Sequence, residues 1–514
     1  MTIKGYIMAG GTGYKLGEIT AKYNRCGIPK PIVPLGNRRI IDFPIQQLDA
    51  ILRGQARPEI WINTPRGDEN IRKYVDHVSP FFNSYFLFRE EEKPIGTAGS
   101  LKYLAEQSKL EDEDIAVILN GDIVMDADLA PIIKQHIENS ADITMGVIMV
   151  KNKEDLANYD TITIPKMPSK SRDDDNKYIE DMRNFLRALQ LNKEAISVES
   201  YQRRLPWEKA LSNLADASIY IVSGRFVNQY MHTRDSKKVI DRPDPANESR
   251  SYEDINAVKE AIKIIGGRYH DLVQRIIKTE GLHDGIIRGH FGHQTAWKKY
   301  YNDTQMLMGF LYDQLAYFSS QSEAEFAKRF YNMEHVIYHA IKDGKKVNAY
   351  IVPENDYWQD IGTKRKVWEV NMDILTRNIH LLRLEDGQKQ NLWNKVVVNN
   401  PDGSQGICWK GKNVHVDLED GRCIVKGVVL IGDDCSIEDN VGLNNSIIGP
   451  GNIIHRGVNV EESVLFPALL KRPHNEIMPN IYVVKSLFLG GVLGINLSRR
   501  TYYTPRDGGN INEL

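Results

Sequence analysis

Along the first third of the chain, short runs of aliphatic and β-branched residues alternate with stretches whose apolar positions fall at helical spacing. Residues 3–8, 59–63, 85–89 and 115–120 predict strands, and the segments between them predict covering helices, as in a parallel sheet with helices on its faces. Beyond Leu375 the pattern changes. Ile431, Ile437, Leu443, Ile448, Ile454, Val460 and Phe466 recur at steps of six with one step of five, and Gly432 and Gly449 follow two of them. A six-residue apolar period suits a left-handed parallel β-helix, in which each hexad forms one side of a triangular coil and stacks its aliphatic residue inward. Residues 395–398 and 412–416 are expected in the same stack. Two stretches fit neither pattern. Residues 169–198 read as a charged, mobile stretch, and the acidic run that opens it, Asp173, Asp174 and Asp175, predicts a solvated loop. Residues 241–328 place Ile255, Val258, Ala261, Ile262 and Ile265 at helix spacing, which predicts an inserted helical subdomain with Phe310, Tyr312, Tyr317 and Phe318 in its core. Residues 479–497 are apolar without the hexad step and are expected to pack back onto the N-terminal part or onto a second subunit.

In open sheets of this kind ligands collect beyond the carboxyl ends of the strands, so the residues that follow each predicted strand carry the chemistry. After the first come Ala9, Gly10, Gly11, Thr12 and Gly13, followed by Lys15. Such a glycine turn, entering a helix, lets backbone N–H groups approach a phosphate without Cβ interference. Further on, Pro29 and Pro31 stiffen the backbone around Lys30. After the third strand, Gly96 and Thr97 open a small-residue run that admits a flat base or a sugar. After the fourth, Asn120, Gly121 and Asp122 end an apolar strand in a carboxylate, a hard oxygen ligand suited to Mg²⁺.

Composition narrows the partners. At 514 residues the chain has room for several domains, and a formal net charge of −2 gives no general attraction to nucleic acid or to an anionic membrane. The four cysteines, Cys26, Cys408, Cys423 and Cys435, form no C-x-x-C pair, which fits a reducing, cytoplasmic setting. No apolar run approaches membrane-spanning length.

Taken in order, A-G-G-x-G, P-K-P, G-T-A-G and N-G-D resemble the sugar-1-phosphate nucleotidyltransferases, and the likeness continues through Trp207-Glu208-Lys209-Ala210, the strand around Asp216, and Tyr357-Trp358-Gln359-Asp360-Ile361-Gly362-Thr363. Within that family, residues 38–45 are most similar to glucose-1-phosphate adenylyltransferase. The resemblance implies a Rossmann-like, mixed-sheet α/β nucleotidyltransferase domain over 1–376 with the helical insertion, a left-handed β-helix over 377–486 and a tail over 487–514. It implies that a nucleoside triphosphate and a sugar-1-phosphate react with Mg²⁺ as cofactor. Lys15, Lys30 and Asp122 would be catalytic, and Asp122 and Asp360 the metal ligands. Glu91, Gly96 and Thr97 would bind the nucleotide together with the glycine turn from Ala9 to Gly13. Gly121, Glu208, Lys209 and Asp216 would hold the sugar phosphate. Assembly into homodimers or tetramers is also implied.

This chain departs from the family where it carries Tyr14-Lys15 in place of the usual Thr-Arg, because a lysine lacks the two-pronged phosphate contact of an arginine. The family proline is replaced by Glu18, and the longer loop that follows offers Arg25 as a substitute guanidinium. The departure motivates a second reading, a weakly catalytic regulatory paralogue. Hexad stacks also serve acyltransferases, so a third reading makes His415 or His455 a base, though a lone histidine in such a stack is ordinarily a surface or corner residue.

Overall fold

Ile3–Met8 (β1) has every residue from Gly5 to Met8 buried, and a strand apolar on both faces sits in the interior of a sheet. It pairs in parallel with Glu59–Pro65 (β2) on one side and with the fourth predicted strand, Ile115–Asn120, on the other. Tyr85–Glu91 (β3) extends the sheet in parallel beyond β2, and Ile115–Asn120 is β4. All four predicted strands therefore lie side by side with their carboxyl ends together. Beyond β4 the sheet turns mixed. Ile143–Met149 (β5), Ile196–Ser197 (β6), Leu214–Ser223 (β7) and Val347–Ile351 (β8) complete the order β6-β8-β5-β7-β4-β1-β2-β3. Strand β7 runs antiparallel to both β4 and β5. The sheet is thus Rossmann-like on one side and mixed on the other, which is the α/β class the sequence implied.

This computed structural model describes residues 1–11, 16, 19–20, 28–36, 38–65, 68–91, 96–170, 174–192, 196–202, 205, 207–231, 333–376, 394–418, 421–466, 475–478, 481–484, 486–488, 492–493, 501–504 and 510–513. The expected helical insertion, Lys15 and Arg25 lie outside them. Two units emerge, one of residues 1–12, 44–121 and 127–358 and the other of 13–43, 122–126 and 359–514.

In the first unit one core joins Tyr6 and Met8 of β1, Ile118 of β4, Leu101 and Leu104 of the helix Gly96–Ser108 (α1), and Met145 and Val147 of β5. A correction falls at 169–198. Residues Asp175–Asn192 form an 18-residue helix (α2), and its Tyr178, Met182 and Leu186 are buried in the same core. These three are four residues apart and form one apolar stripe among charges. Of the acidic start, Asp174 is exposed as expected, whereas Asp175 is half-buried and accepts the indole N–H of Trp207 at 2.7 Å.

In the second unit the hexad residues turn inward. Ile431, Ile437, Leu443, Ile448, Ile454 and Val460 share a core with Val425, Val429 and Cys435. The strand Cys423–Ile431 runs parallel to Val441–Ile448, pairing Ile431 with Ile448, and Ile448 pairs in turn with Leu465. Ile437 pairs with Ile454, and Leu443 with Val460, also in parallel. Each apolar residue therefore lies over its counterpart 17 positions on. The stack starts at Asn394–Asn399, antiparallel to Gln405–Lys410, which pairs in parallel with Cys423–Ile431. The described residues of 479–497 extend it, because Val460 pairs with Val483, Leu465 with Phe488 and Ile477 with Leu493. The missing hexad step there has a physical reason: the pairing interval leaves 17, becoming 23 residues for Val460–Val483 and Leu465–Phe488 and 16 for Ile477–Leu493, so the period breaks while the stacking continues.

Candidate active site

In the second unit a single lysine joins two distant carboxylates. Pro29, Lys30, Pro31 and Ile32 form a short 3-10 turn in which the N–H of Ile32 donates to the carbonyl of Pro29 and that of Val33 to Lys30. The N–H of Ile41 closes on the carbonyl of Pro31 at 2.7 Å. The proline-stiffened backbone thus fixes where the Lys30 side chain starts, and that side chain is 13% exposed. Its Nζ lies 2.6 Å from Asp122 Oδ2 and 3.8 Å from Asp360 Oδ1. The backbone holds the two carboxylates at this spacing as well, since the N–H of Ile361 donates to the carbonyl of Asp122 at 3.1 Å. Both carboxylates keep about a third of their surface open, 32% for Asp122 and 34% for Asp360. Three residues read from three separate motifs are brought within one ion-paired group.

In the first unit the strand ends build a polar cluster behind the glycine turn. The N–H of Ala9 donates to Asn63 Oδ1 at 2.8 Å, and Asn63 Nδ2 donates to Glu91 Oε1 at 2.7 Å. The hydroxyl of Ser100 donates to the same carboxylate oxygen. Gly10 passes so close that a Cβ there would stand 2.7 Å from Asn63 Nδ2 and 3.2 Å from Glu91 Oε2, so a side chain would push the Asn63 amide out of its place. Gly121 is similarly tight, with a Cβ meeting the carbonyl oxygen of Met8 at 3.1 Å. Gly96 holds a φ of 76°, which a side chain would strain, and Thr97 Oγ1 accepts the N–H of Met333 at 2.9 Å. Thr12 and Gly13 lie outside the described residues.

Glu208 and Lys209 are exposed on a turn whose neighbour Trp207 is buried. Lys170 holds that turn. Its ammonium donates to the carbonyls of Trp207 and Ala210 and sits 4.0 Å above the Trp207 ring. Burial lowers the Lys170 pKa while the carboxylates of Asp175 and Glu208 oppose that shift. Asp216, expected beside the sugar phosphate, is 7% exposed, with its carboxylate engaged inside the chain. Tyr201 and Tyr220 each donate to Oδ2 at 2.8 Å, and the N–H of Ser218 donates to Oδ1 at 2.7 Å. Burial lifts the Asp216 carboxyl to about 7 against these hydrogen bonds. The cluster stabilises an irregular stretch of β7, where the register with β5 shifts between Asp216 and Tyr220 and Ser218 has a φ of 55°. The carbonyl of Ala217 in that stretch accepts the indole N–H of Trp358 at 3.0 Å.

Sequence reading passed over Asn63, Ser100 and Lys170. Asn63 had a usable signal, a polar residue ending the apolar run Ile60-Trp61-Ile62 at a strand's carboxyl end. Lys170 had none, because its partners are decided by tertiary packing.

The family model described as nucleotidyl transferase matches residues 4–172. That segment belongs to the nucleotidyl transferase family. Among curated relatives, the chain is 30% identical over 174 residues to a mannose-1-phosphate guanyltransferase of Yarrowia lipolytica, covering 33% of this chain and 43% of that one. It is 35% identical over 130 residues to a mannose-1-phosphate guanyltransferase of Kluyveromyces lactis, covering 24% and 32%. It is 31% identical over 133 residues to a glucose-1-phosphate adenylyltransferase of Bacillus cytotoxicus, covering 25% and 33%. The matched part of the chain spans less than half the length of each of these relatives. Within the nucleotidyl transferase segment fall the glycine turn, Lys30, Glu91 and Asp122. Asp360, Glu208 and Asp216 lie beyond it.

Proposed function

We propose that this chain transfers a nucleotidyl group from a nucleoside triphosphate to a sugar-1-phosphate and releases pyrophosphate. The observation that carries the reading is the Lys30 ammonium between Asp122 and Asp360. In-line displacement at the α-phosphorus needs no general base, because the attacking sugar phosphate is already an anion near neutral pH. The obstacle is the approach of two polyanions, so placed charge is the catalyst. Lys30 offers its ammonium to phosphate oxygens. Glycine-turn amides and Lys15 hold the triphosphate, Glu208 accepts hydrogen bonds from sugar hydroxyls, and Lys209 meets the sugar phosphate. Asp216 is better suited to shaping β7 than to touching the sugar.

The donor set at Asp122 and Asp360 fits Mg²⁺. Among the described residues no group of three or more His, Cys, Asp or Glu side chains gathers as a metal cage. Mg²⁺ does not need one, since it is ordinarily held by one or two carboxylates with substrate phosphates and water completing the shell. Held by Asp122 and Asp360, the ion would supply positive charge that offsets the negative charge of the reacting phosphates.

Residues 38–45 favour ATP and glucose-1-phosphate, giving ADP-glucose. A second reading, guanylyl transfer, is supported by the likeness to mannose-1-phosphate guanyltransferases. We further propose that 1–376 form the catalytic part, that the parallel stack, which runs past the expected boundary at 486 to Leu493, is a left-handed β-helix, and that the chain assembles as a dimer or tetramer. The test is pyrophosphate release with Mg²⁺ across a matrix of nucleoside triphosphates and sugar-1-phosphates. One productive pair fixes the substrates. No turnover with any pair, alongside nucleotide binding, favours the regulatory paralogue.

A further inference from the structure

We infer that Lys30 is the internal counter-cation of the Asp122–Asp360 pair, so that divalent metal enters this site with a triphosphate and is held off it without one. The inference rests on the reading of these carboxylates as metal ligands. A divalent ion bound by both would lie near the space the Lys30 ammonium fills, 2.6 Å from one carboxylate and 3.8 Å from the other. Ammonium and metal repel each other at such separations, and they compete for the same lone pairs. The lysine also holds the stronger local position, because its side chain is largely buried while its backbone is fixed by two prolines and the closing bond from Ile41. A metal would have to displace an ammonium already paired at 2.6 Å, a poor exchange for an ion that dehydrates reluctantly.

A triphosphate changes the balance. Its oxygens give the ammonium new acceptors, the lysine turns from carboxylate to phosphate, and both carboxylates become available to the metal that the triphosphate brings. By linkage, metal and nucleotide then strengthen each other's binding by the same factor. The ammonium thereby makes the site respond to the metal–nucleotide complex and ignore free metal.

The experiment titrates the full chain with Mn²⁺, without nucleotide, by the loss of the free-ion paramagnetic resonance signal. Lys30→Met is expected to bind Mn²⁺ at least about tenfold more tightly than the unaltered chain, the scale of removing one adjacent positive charge. Lys30→Gln, which keeps a polar side chain of similar reach, serves as the second variant should the methionine disturb folding. Asp122→Asn combined with either should erase the gain. Equal Mn²⁺ affinity with and without Lys30, at a site that Asp122→Asn abolishes, overturns the inference and leaves the metal-site reading standing. Binding indifferent to Asp122→Asn in every variant overturns both.

Discussion

The strand ends of the N-terminal sheet and the rungs of the C-terminal stack are both built from parallel strands, yet they use side chains in opposite ways. At the carboxyl ends of β1 to β4 the backbone ladder runs out, and the polar side chains there are Asn63 and Glu91, among the last paired residues of β2 and β3, and Asp122, two residues beyond β4. In the stack the ladder does not stop, and the inward positions are aliphatic or thiol. Burial pushes Cys408 and Cys423 up to about 12 and Cys435 to about 11, so these thiols are inert packing. Polar groups at a ladder's end can meet a ligand without disturbing a core, whereas a rung residue can only support its neighbours. Substitutions in the two regions should therefore fail differently.

The largest separation is expected between Asp122→Asn and Ile448→Ala. Asp122 is 32% exposed and its ion pair is partly solvated, so its loss costs the fold little. We expect pyrophosphate release to fall by at least about a hundredfold with the melting temperature nearly unchanged, following the usual effect of removing a group that stabilises transition-state charge. Ile448 is fully buried and lies between Ile431 and Leu465. Its truncation should cost about 2–5 kcal/mol in denaturant unfolding, with turnover per folded molecule intact. An Ile448→Ala chain that melts normally but has lost activity would dissolve the contrast.

Asp216 tests a case between the two, a carboxylate at neither a strand end nor a rung. Its folded pKa is raised by burial to about 7, above the ordinary carboxylate range. A raised acid contributes stability that is complete below the unfolded value, roughly pH 4, and is lost as pH rises towards the folded value. The wild-type chain should thus lose on the order of a few kcal/mol between these limits. Asp216→Asn should flatten that part of the stability curve, read by urea unfolding at a series of pH values. A wild-type curve that rises with pH over this window would contradict the buried, proton-favouring environment.

What was legible in the sequence follows the same divide. β1 to β4 could be read because each is a short apolar run, and the hexads because their aliphatic residues recur at steps of six with one step of five. Lys30 and Asp122 stood out from the residues that follow predicted strands and Asp360 from the family resemblance, whereas their grouping on one ammonium is a result of the fold. The helix Asp175–Asn192 was hidden because three consecutive aspartates outweighed the sparser stripe of Tyr178, Met182 and Leu186. The setting of Asp216 was hidden for another reason. Tyr201 reaches it from a separate strand, and Tyr220 only because the register of β7 slips between them. Neither follows from local pattern.

The smallest expected effect concerns Lys170, which belongs to that concealed stretch yet holds the exposed turn of Glu208 and Lys209. If the turn binds the sugar phosphate, loosening it should weaken binding in the ground and transition states alike, which raises KM and leaves kcat in place. The ring contact and the two carbonyl hydrogen bonds of Lys170 hold it together with the Trp207 indole bond to Asp175. Lys170→Met keeps the aliphatic stem over Trp207 and removes only the charge. We expect KM for the sugar phosphate to rise roughly five- to tenfold, with KM for the nucleotide and kcat within about twofold. Lys170→Arg, which restores a cation over the ring, should recover part of the loss. A lowered melting temperature with both KM values unmoved would make Lys170 a packing residue of the helix and nothing more, and the Glu208–Lys209 turn would then need another support.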